Sequence, residues 1–452
     1  APSNGWSLCG ITHTTASARA MDSITELLTA PVQAWDALIC TSTAVRDNVD
    51  RLLGTQAEYL RRRLGASTIV LPQLPVIPLG IHTADFAFSV TERANARRTL
   101  GADSDTLIVL YTGRLSFHAK AHPLAMYQAL ELAAQRLPAG KRVLLVECGW
   151  HANDFIKAAF DEAAKAACPS ITTVTLDGRD AANRQTAWAS ADVFCSLSDN
   201  IQETFGIVPI EAMAAGLPVV VSDWDGYKDT VRHGIDGFRV PTIMPGPGLG
   251  SDMAYRHALE IDNYDVYCGN TCSVVAVDVE NTANSFTRLF ESETLRKTMG
   301  EAGRQRAHEI YDWARIIPRY EALWAELAEI RNRQGAAEKP PALAWPARMD
   351  PFAAFAAYPS QLLTPETRFK QLMEAADVAQ ARIHRLRHLG MVKYATLTAL
   401  TDDEIGAIIE AARQGPQLAS KLVGGIAPQR RAHALRGLAG LIKLGILAPE
   451  YS

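Results

Sequence analysis

Short β-branched runs alternate with longer alanine-rich helical stretches from Ser7 to Ala215. A repeated order of strand and helix predicts parallel sheets that are covered by helices on both faces. The apolar run 143–146 is typical of a strand that is buried on both faces. These patterns predict an α/β fold with strands at residues 8–12, 37–41, 76–79, 106–111, 142–147, 171–176, 193–197 and 218–222.

The alternation breaks once, near residues 76–88, and starts again at Thr106. The break predicts a hinge between two Rossmann-like domains, of which the first is short for a doubly wound unit. We therefore assign residues 1–88 to a partial first domain and residues 89–335 to a second domain. A long helix over residues 316–333 is expected to close the second domain.

Three further segments depart from this pattern. Residues 241–271 are rich in Gly, Pro and Tyr and predict an irregular insert, which is either a functional loop or a surface excursion. Residues 336–350 are proline-rich and predict a stiff linker. Residues 351–452 predict an all-helical accessory domain, with a capping box at Thr401 and Glu404.

The chain length, net charge and cysteine content limit the kinds of partner and compartment. A chain of 452 residues with a net charge of -4 predicts two or three domains and no general affinity for nucleic acid or anionic membranes. No apolar run reaches the roughly 18 residues of a membrane span. The seven cysteines are odd in number and irregularly spaced, which predicts reduced thiols in a cytoplasmic protein. Cys268 and Cys272 are a close pair without a second pair nearby, so no metal site is predicted.

The segment after the run 193–197 combines features of a phosphate site. Residues 205–215 predict a helix that ends at Gly216, and Gly206 near its start allows a ligand to approach the backbone closely. The amides of Gly206, Ile207 and Val208 would be free at this helix start and would face the carboxyl edge of the sheet. Free amides at a helix N-terminus form a ready site for a phosphate.

Two glutamates flank this element, eight residues apart. Glu203 precedes the helix and Glu211 lies about two turns inside it. Carboxylates accept hydrogen bonds from hydroxyls and therefore suit sugar or ribose rings. The spacing alone is weak evidence, because one helix-capping carboxylate and one solvated carboxylate would produce it equally well.

A second cluster follows the predicted strand 106–111. Gly113-Arg114-Leu115 is followed by Lys120. The two cations could bind one diphosphate, Arg114 through two N–H groups of its guanidinium and Lys120 through its single ammonium charge. Ordinary solvated loop cations are the alternative. Since this cluster and the helix start both follow strands of one predicted sheet, the diphosphate interpretation is favoured.

These residues resemble glycosyltransferase family 4. The similarity rests on Gly113-Arg114-Leu115 with Lys120, on the Glu-x7-Glu element formed by Glu203 and Glu211, and on Asp236-Gly237-Phe238. It extends over about residues 7–327. The resemblance implies a GT-B fold, a nucleotide-sugar donor and retention of anomeric configuration.

The resemblance also implies roles for single residues. Arg114 and Lys120 would hold the donor diphosphate, together with the amides of Gly206, Ile207 and Val208. Glu203 would contact the transferred sugar, and Glu211 would bind the ribose hydroxyls. His13 would lie beside the sugar, where a core or loop histidine is the alternative. Gly178 and Arg179 would lie in the nucleobase region.

The implied chemistry requires neither a metal nor a cofactor, because fixed positive charge offsets the leaving diphosphate and the nucleotide-sugar is a co-substrate. The family's first strand and glycine-rich loop would lie upstream of Ser7, so we expect an N-terminally truncated first domain. The acceptor would be a glycan or a small molecule. Residues 351–452 would serve dimerisation or docking.

Two alternatives to a transferase remain open at this point. The first is a catalytically inactive nucleotide-sugar-binding or scaffold protein on the same fold. The second is another enzyme of the GT-B type, such as an epimerase or a phosphorylase.

Overall fold

The computed structural model describes residues 4–335, 346–372 and 375–450. The chain divides into two compact units, residues 1–340 and 341–452. Most of the predicted linker, residues 336–345, lies outside the described residues.

The first unit is built of alternating strands and helices. Its strands are β1 (Cys9–Ile11), β2 (Ala37–Ile39), β3 (Thr106–Thr112), β4 (Arg142–Gly149), β5 (Thr172–Asp177), β6 (Val193–Ser196), β7 (Val219–Ser222), β8 (Gly237–Val240), β9 (Thr242–Ile243) and β10 (Ala276–Val277). Its helices are α1 (Ala18–Glu26), α2 (Thr43–Leu64), α3 (Val90–Thr99), α4 (Leu124–Ala134), α5 (Asp154–Ala167), α6 (Ala181–Ser190), α7 (Ile207–Ala214), α8 (Tyr227–Thr230), α9 (Ser251–Ala258), α10 (Tyr264–Cys272), α11 (Val279–Glu291), α12 (Glu293–Arg306) and α13 (Trp313–Gln334).

A six-stranded parallel sheet forms the centre of this unit, in the order β5-β4-β3-β6-β7-β8. Strands β3, β6 and β7 are almost completely buried, because helices cover both faces of the sheet. The predicted α/β class is confirmed. Since all six strands run in parallel, the segments that follow β3, β5 and β6 emerge at one edge of the sheet.

Residues 4–88, called the first segment below, contain a parallel pair of strands, β1 and β2. The predicted strand 76–79 was wrong: among the described residues, Val76 forms only a single bridge, to Cys40. Pro75 and Pro78 flank this bridge and have no N–H to donate to a longer ladder. Long helix α13 packs beneath the pair, with Ile316 and Leu327 in one cluster with Ile39.

The insert at 241–271 is more regular than predicted. It contains β9, α9 and α10, and β9 pairs antiparallel with β10. Asn263 begins α10 by accepting a hydrogen bond from the Val266 amide at 3.0 Å. The prediction of an irregular loop was wrong because a side-chain cap and buried contacts, rather than apolar periodicity, stabilise these short helices.

The second unit is mostly helical, as predicted, but it is not all-helical. A three-stranded antiparallel sheet places β11 (Arg368–Gln371) between β12 (Gln417–Leu418) and β13 (Leu447–Pro449). The helices are α14 (Pro351–Ala354), α15 (Ala376–Arg387), α16 (Gly390–Lys393), α17 (Asp402–Ala412), α18 (Ala419–Leu422) and α19 (Arg431–Lys443). The capping box at Thr401 and Glu404 is confirmed at the start of α17. Across the described ranges, no helix is both long and apolar enough to cross a membrane.

One close approach holds α12 against the end of α7. A Cβ atom on Gly300 would lie 2.1 Å from the carbonyl oxygen of Gly216, so only glycine fits there. We expect Gly300→Ala to lower the free energy of unfolding by about 2 kcal/mol, since overpacking a tight contact forces the backbone apart. Urea unfolding measures the change.

Gly54 is the matched control, because it also lies inside a helix but has no atom within 4 Å of the position of a Cβ. Gly54→Ala should raise the free energy of unfolding by about 0.5–1 kcal/mol through helix propensity alone. Equal effects of the two substitutions would contradict the packing described here.

Candidate functional site

The start of α7 is shaped by Gly206. Its φ of 78° lies in the left-handed region, and a Cβ atom there would meet the Tyr227 ring at 1.9 Å. The Tyr227 hydroxyl lies 2.8 Å from the Ser196 hydroxyl at the end of β6, which fixes the ring in place. The chain can therefore turn from β6 into α7 in this way only with glycine at position 206.

Glu203 is held against this turn. Its Oε1 accepts hydrogen bonds from the amides of Gly206 at 3.1 Å and Thr204 at 3.3 Å. Its Oε2 forms an ion pair with Nζ of Lys120, and the two side chains are only 9% and 19% exposed. Burial opposes ionisation, but the charge and hydrogen bond of Lys120 outweigh it and lower the pKa of Glu203 below its ordinary value.

This geometry corrects one prediction. The Gly206 amide is not free, because Glu203 already accepts its hydrogen. The amides of Ile207 and Val208 have no acceptor within the described part of the chain. The open donors at the start of α7 are thus those two amides.

The loop after β3, residues 113–122, supplies the two predicted cations. Besides the ion pair of Lys120, Nη2 of Arg114 donates to Oε1 of Gln202 and to the Ala119 carbonyl, both at 3.3 Å. Arg114 is exposed, so its guanidinium remains accessible. The structure therefore brings Arg114 and Lys120 to the segment that leads into α7.

Glu211 lies on α7 about one turn beyond this start and is half-buried. Burial raises the pKa of Glu211 to about 7, and the charge of Arg184 partly opposes the rise. Arg184, on α6, donates to the carbonyl oxygens of Gly178 at 2.8 Å and Arg179 at 3.1 Å. It links the turn after β5 to the neighbourhood of Glu211, and the sequence reasoning missed it.

Gly178 and Arg179 are explained in part by local packing. A Cβ atom on Gly178 would lie 3.0 Å from Cα of Gly149 at the end of β4, which favours glycine without any ligand. The Arg179 guanidinium pairs with Asp177 at 2.7 Å and is exposed. Both residues lie at the same edge of the sheet as Glu211, and Arg184 is their link to it.

His13 follows β1 and is exposed, and no hydrogen bond involves its side chain within the described ranges. Its neighbours make contacts that carry the end of β1 toward the second domain. The Thr12 hydroxyl accepts from the Thr41 amide at 3.3 Å, and the Thr14 hydroxyl lies 3.3 Å from the hydroxyl of Tyr264. The role of His13 beside the sugar stays a prediction.

The turn after β2 contacts the site directly. Ser42 caps α2, and its hydroxyl also donates to the Thr204 carbonyl at 2.8 Å, next to Glu203. The Thr43 amide donates to Asp229 of α8 at 2.6 Å. These hydrogen bonds hold the first segment against the loop before α7 and against α8.

Asp225 is a further residue that sequence reasoning missed. It lies 3.4 Å from the Ser42 hydroxyl and has a φ of 43°. Burial and then the charge of Glu203 raise its pKa to about 7. A single acidic residue in a turn carries no signal in the sequence, so only the fold could reveal its position.

The ion pair generates a stability prediction. Lys120→Met leaves the Glu203 carboxylate buried without a cation, which should lower the free energy of unfolding by about 2–3 kcal/mol at pH 8. The lowered pKa of Glu203 stabilises the fold above the ordinary carboxyl pKa, and this stabilisation is lost as the pH falls through the folded-state pKa. In Lys120→Met burial acts on the Glu203 carboxyl without the opposing lysine, so the variant should bind the proton at a higher pH than the wild-type chain does. The difference in the free energy of unfolding between the two chains should therefore narrow as the pH falls from about 8 toward and below the ordinary carboxyl pKa, as urea unfolding at each pH will show.

The double variant Lys120→Met/Glu203→Gln removes both charges and is the control. It should recover most of the stability that Lys120→Met loses. A loss that is independent of pH, or that persists in the double variant, would show that the lysine acts through packing alone.

Comparison with known proteins finds similarity to glycosyltransferases over part of the chain. Residues 92–243 match the family described as glycosyl transferases group 1. A 63-residue segment is 51% identical to a phosphatidyl-myo-inositol mannosyltransferase of Mycobacterium leprae, which covers 14% of this chain and 16% of the relative. A D-inositol 3-phosphate glycosyltransferase of Thermobispora bispora is 27% identical over 199 residues, 43% of this chain and 45% of the relative.

A crystal structure of Anabaena HepE in complex with UDP covers 71% of this chain and 72% of its own, with 18% identity and a TM-score of 0.49. The chain spans less than half the length of both curated relatives. The family match covers β3 to β9 and so contains Arg114, Lys120, Glu203 and Glu211. The glycosyl transferases group 1 family is thus the family to which residues 92–243 are similar.

Proposed function

We propose that the chain transfers a sugar from a nucleotide-sugar donor to a hydroxyl of an acceptor, as a glycosyltransferase of family 4, with retention of configuration and without a metal. One observation carries the proposal. Two cations, Arg114 and Lys120, contact Gln202 and Glu203 in the segment that leads to the open amides of α7, at the carboxyl edge of a parallel sheet. This combination of fixed positive charge and free N–H groups suits a diphosphate.

The diphosphate would occupy the space between the loop 113–122 and the start of α7. Arg114 is accessible and would bind phosphate oxygens as a fork, while the amides of Ile207 and Val208 would donate to the same group. Lys120 is already paired with Glu203, so the phosphate would share this cation with the carboxylate. The Gly206 amide takes no part, because it is bound to Glu203.

The sugar and the nucleoside would extend to either side of the diphosphate. Glu203 would accept a hydrogen bond from a hydroxyl of the transferred sugar, and His13 would approach that sugar from the first segment. Glu211 would accept hydrogen bonds from the ribose hydroxyls. These hydrogen bonds would favour the ionised carboxylate and so oppose the rise in its pKa that burial causes. Gly178, Arg179 and the bridging Arg184 would surround the nucleobase.

The chemistry follows from this arrangement. The bond between the anomeric carbon and the diphosphate breaks as the acceptor hydroxyl attacks from the same face, and the leaving phosphate takes the hydroxyl proton. The positive charge of Arg114 and Lys120 stabilises the developing negative charge on the leaving group. Glu203 is bound by Lys120 and two amides, which makes it a sugar-binding group rather than a nucleophile.

The proposal includes the remaining expectations. The nucleotide-sugar is a co-substrate and no cofactor is needed, and the acceptor is a glycan or a small hydroxylated molecule. The names of the curated relatives include inositol phosphates and phosphatidylinositol, so inositol is a reasonable first acceptor to test.

A cytoplasmic location agrees with seven free thiols, six of them buried. Residues 351–452 would serve dimerisation or docking. An inactive scaffold is not favoured by the family match.

Thermal unfolding with a panel of nucleotides tests the donor site. The panel contains UDP, GDP, ADP and TDP with their sugars, and one of them should raise the unfolding midpoint by a few degrees, since a ligand at 100 times its dissociation constant adds about 2.7 kcal/mol. Arg114→Ala should abolish this rise of the unfolding midpoint, because it removes the accessible guanidinium that would bind the phosphate.

Arg62→Ala is the matched control, because Arg62 is an exposed arginine on α2 that pairs with Glu58. It should respond to the nucleotide like the wild-type chain. The proposal fails if no nucleotide shifts the midpoint of the folded protein, or if Arg114→Ala responds as strongly as Arg62→Ala.

A further inference from the structure

The insert between β9 and β10 folds into two helices, α9 and α10, that contact each other. The rings of His257 and Tyr267 stack with centroids 4.1 Å apart, which joins α9 to α10. Arg256 pairs with the buried Asp262 at 2.7 Å in the turn between these helices. Two short helices with their own stacking and ion pair can hold side chains in fixed positions, as a binding site requires.

Helix α10 packs against the loop 113–122. A Cβ atom on Gly269 would be 3.3 Å from Cβ of His118, so the glycine allows close contact between helix and loop. The Cys272 thiol lies 3.8 Å from the carbonyl oxygens of Phe117 and His118. At its first turn, the helix reaches the first segment through the hydroxyls of Tyr264 and Thr14.

The same loop connects α10 to the candidate donor site. The His118 carbonyl accepts from the Asn200 side chain at 2.8 Å, and the Asn200 carbonyl accepts from the Glu203 amide at 3.2 Å. Arg114 and Lys120 lie on this same loop, next to Gln202 and Glu203. A ligand beside α10 would therefore contact the loop that is proposed to hold the donor diphosphate.

An open cleft of about 480 Å³ lies beside the contact of α10 with the loop and is lined by both. This volume lies within the range of about 300–1,000 Å³ that is typical of small-molecule sites. One face of α10 and the segment around His118 form its walls, with the lining residues Phe117, His118, His122, Asn263, Asp265, Val266, Gly269, Asn270, Cys272 and Ser273.

The lining defines the chemistry of the ligand. Asn263, Asp265 and Asn270 offer amide and carboxylate groups that bind hydroxyls, while Phe117 and Val266 offer an apolar surface. No lysine or arginine lines this cleft within residues 4–335, and Asp265 would repel an anion. Neutral hydroxylated rings, with polar edges and apolar faces, match this lining better than phosphates do.

We propose that the cleft between α10 and the loop 113–122 binds a neutral saccharide portion of the acceptor. The insert would thus select the acceptor from the donor-binding domain, beside the loop that would hold the diphosphate. This inference rests on the proposed glycosyltransferase function. It makes the residues of α10 specificity-determining rather than catalytic.

Saturation-transfer NMR with a panel of neutral oligosaccharides of glucose, mannose, galactose and N-acetylglucosamine tests the cleft. At least one member of the panel should bind the full chain. Asp265→Ala should weaken its affinity about tenfold, because a hydrogen bond to a charged group is lost. Ser273→Trp should weaken it similarly by filling the cleft.

Asp252→Ala is the matched control, since Asp252 is also an exposed acid in the first turn of an insert helix but does not line the cleft. It should leave oligosaccharide binding unchanged, and all three variants should keep the nucleotide-induced shift of the unfolding midpoint. The inference is overturned if no oligosaccharide binds, or if Asp265→Ala and Ser273→Trp bind as Asp252→Ala does. If no nucleotide shifts the unfolding midpoint of the wild-type chain, this result would instead contradict the proposed function.

Discussion

The ion pair between Lys120 and Glu203 is the contact on which the account of this site depends. It joins the loop after β3 to the loop before α7 and places a cation at the helix start. Because both side chains are largely withdrawn from water, neither can lose its partner without cost. The carboxylate also binds the Gly206 amide, so the ion pair and the helix start form one polar cluster.

The parallel sheet makes this contact possible. Strands β3 and β6 are neighbours and run in the same direction, so the segments that follow them leave at the same edge. Tyr227 packs against Gly206 and determines how the chain enters α7. The first segment adds Ser42 and Thr43, which bind the loop before α7 and Asp229. The site is therefore assembled from elements far apart in the sequence.

Much of this could be predicted from the sequence. Continuous apolar runs identified β3, β4, β6 and β7, and the glycine turns placed α7 correctly to within two residues. The cations and carboxylates were grouped by one rule, that residues after parallel strands meet at the same edge. Edge strand β8 was missed because it begins with glycine and contains Arg239, so it has no continuous apolar run.

The sequence could not predict contacts that depend on side-chain direction. The capture of the Gly206 amide by Glu203 and the position of Arg184 beside Glu211 follow from packed geometry and not from spacing. The helices of the insert and the small sheet of the second unit were missed for another reason. Their segments are too short for periodicity to appear, so caps and tertiary contacts determine them.

The central claim is that Glu203 and the donor diphosphate share Lys120. Isothermal titration of inorganic pyrophosphate into the wild-type chain and Glu203→Gln tests it most directly, without any assumption about the base or the sugar. Glutamine can still accept the Gly206 hydrogen but no longer holds the lysine by charge. We predict that Glu203→Gln binds pyrophosphate about tenfold more tightly, equivalent to about 1.4 kcal/mol. An equal or weaker affinity in Glu203→Gln would contradict the claim.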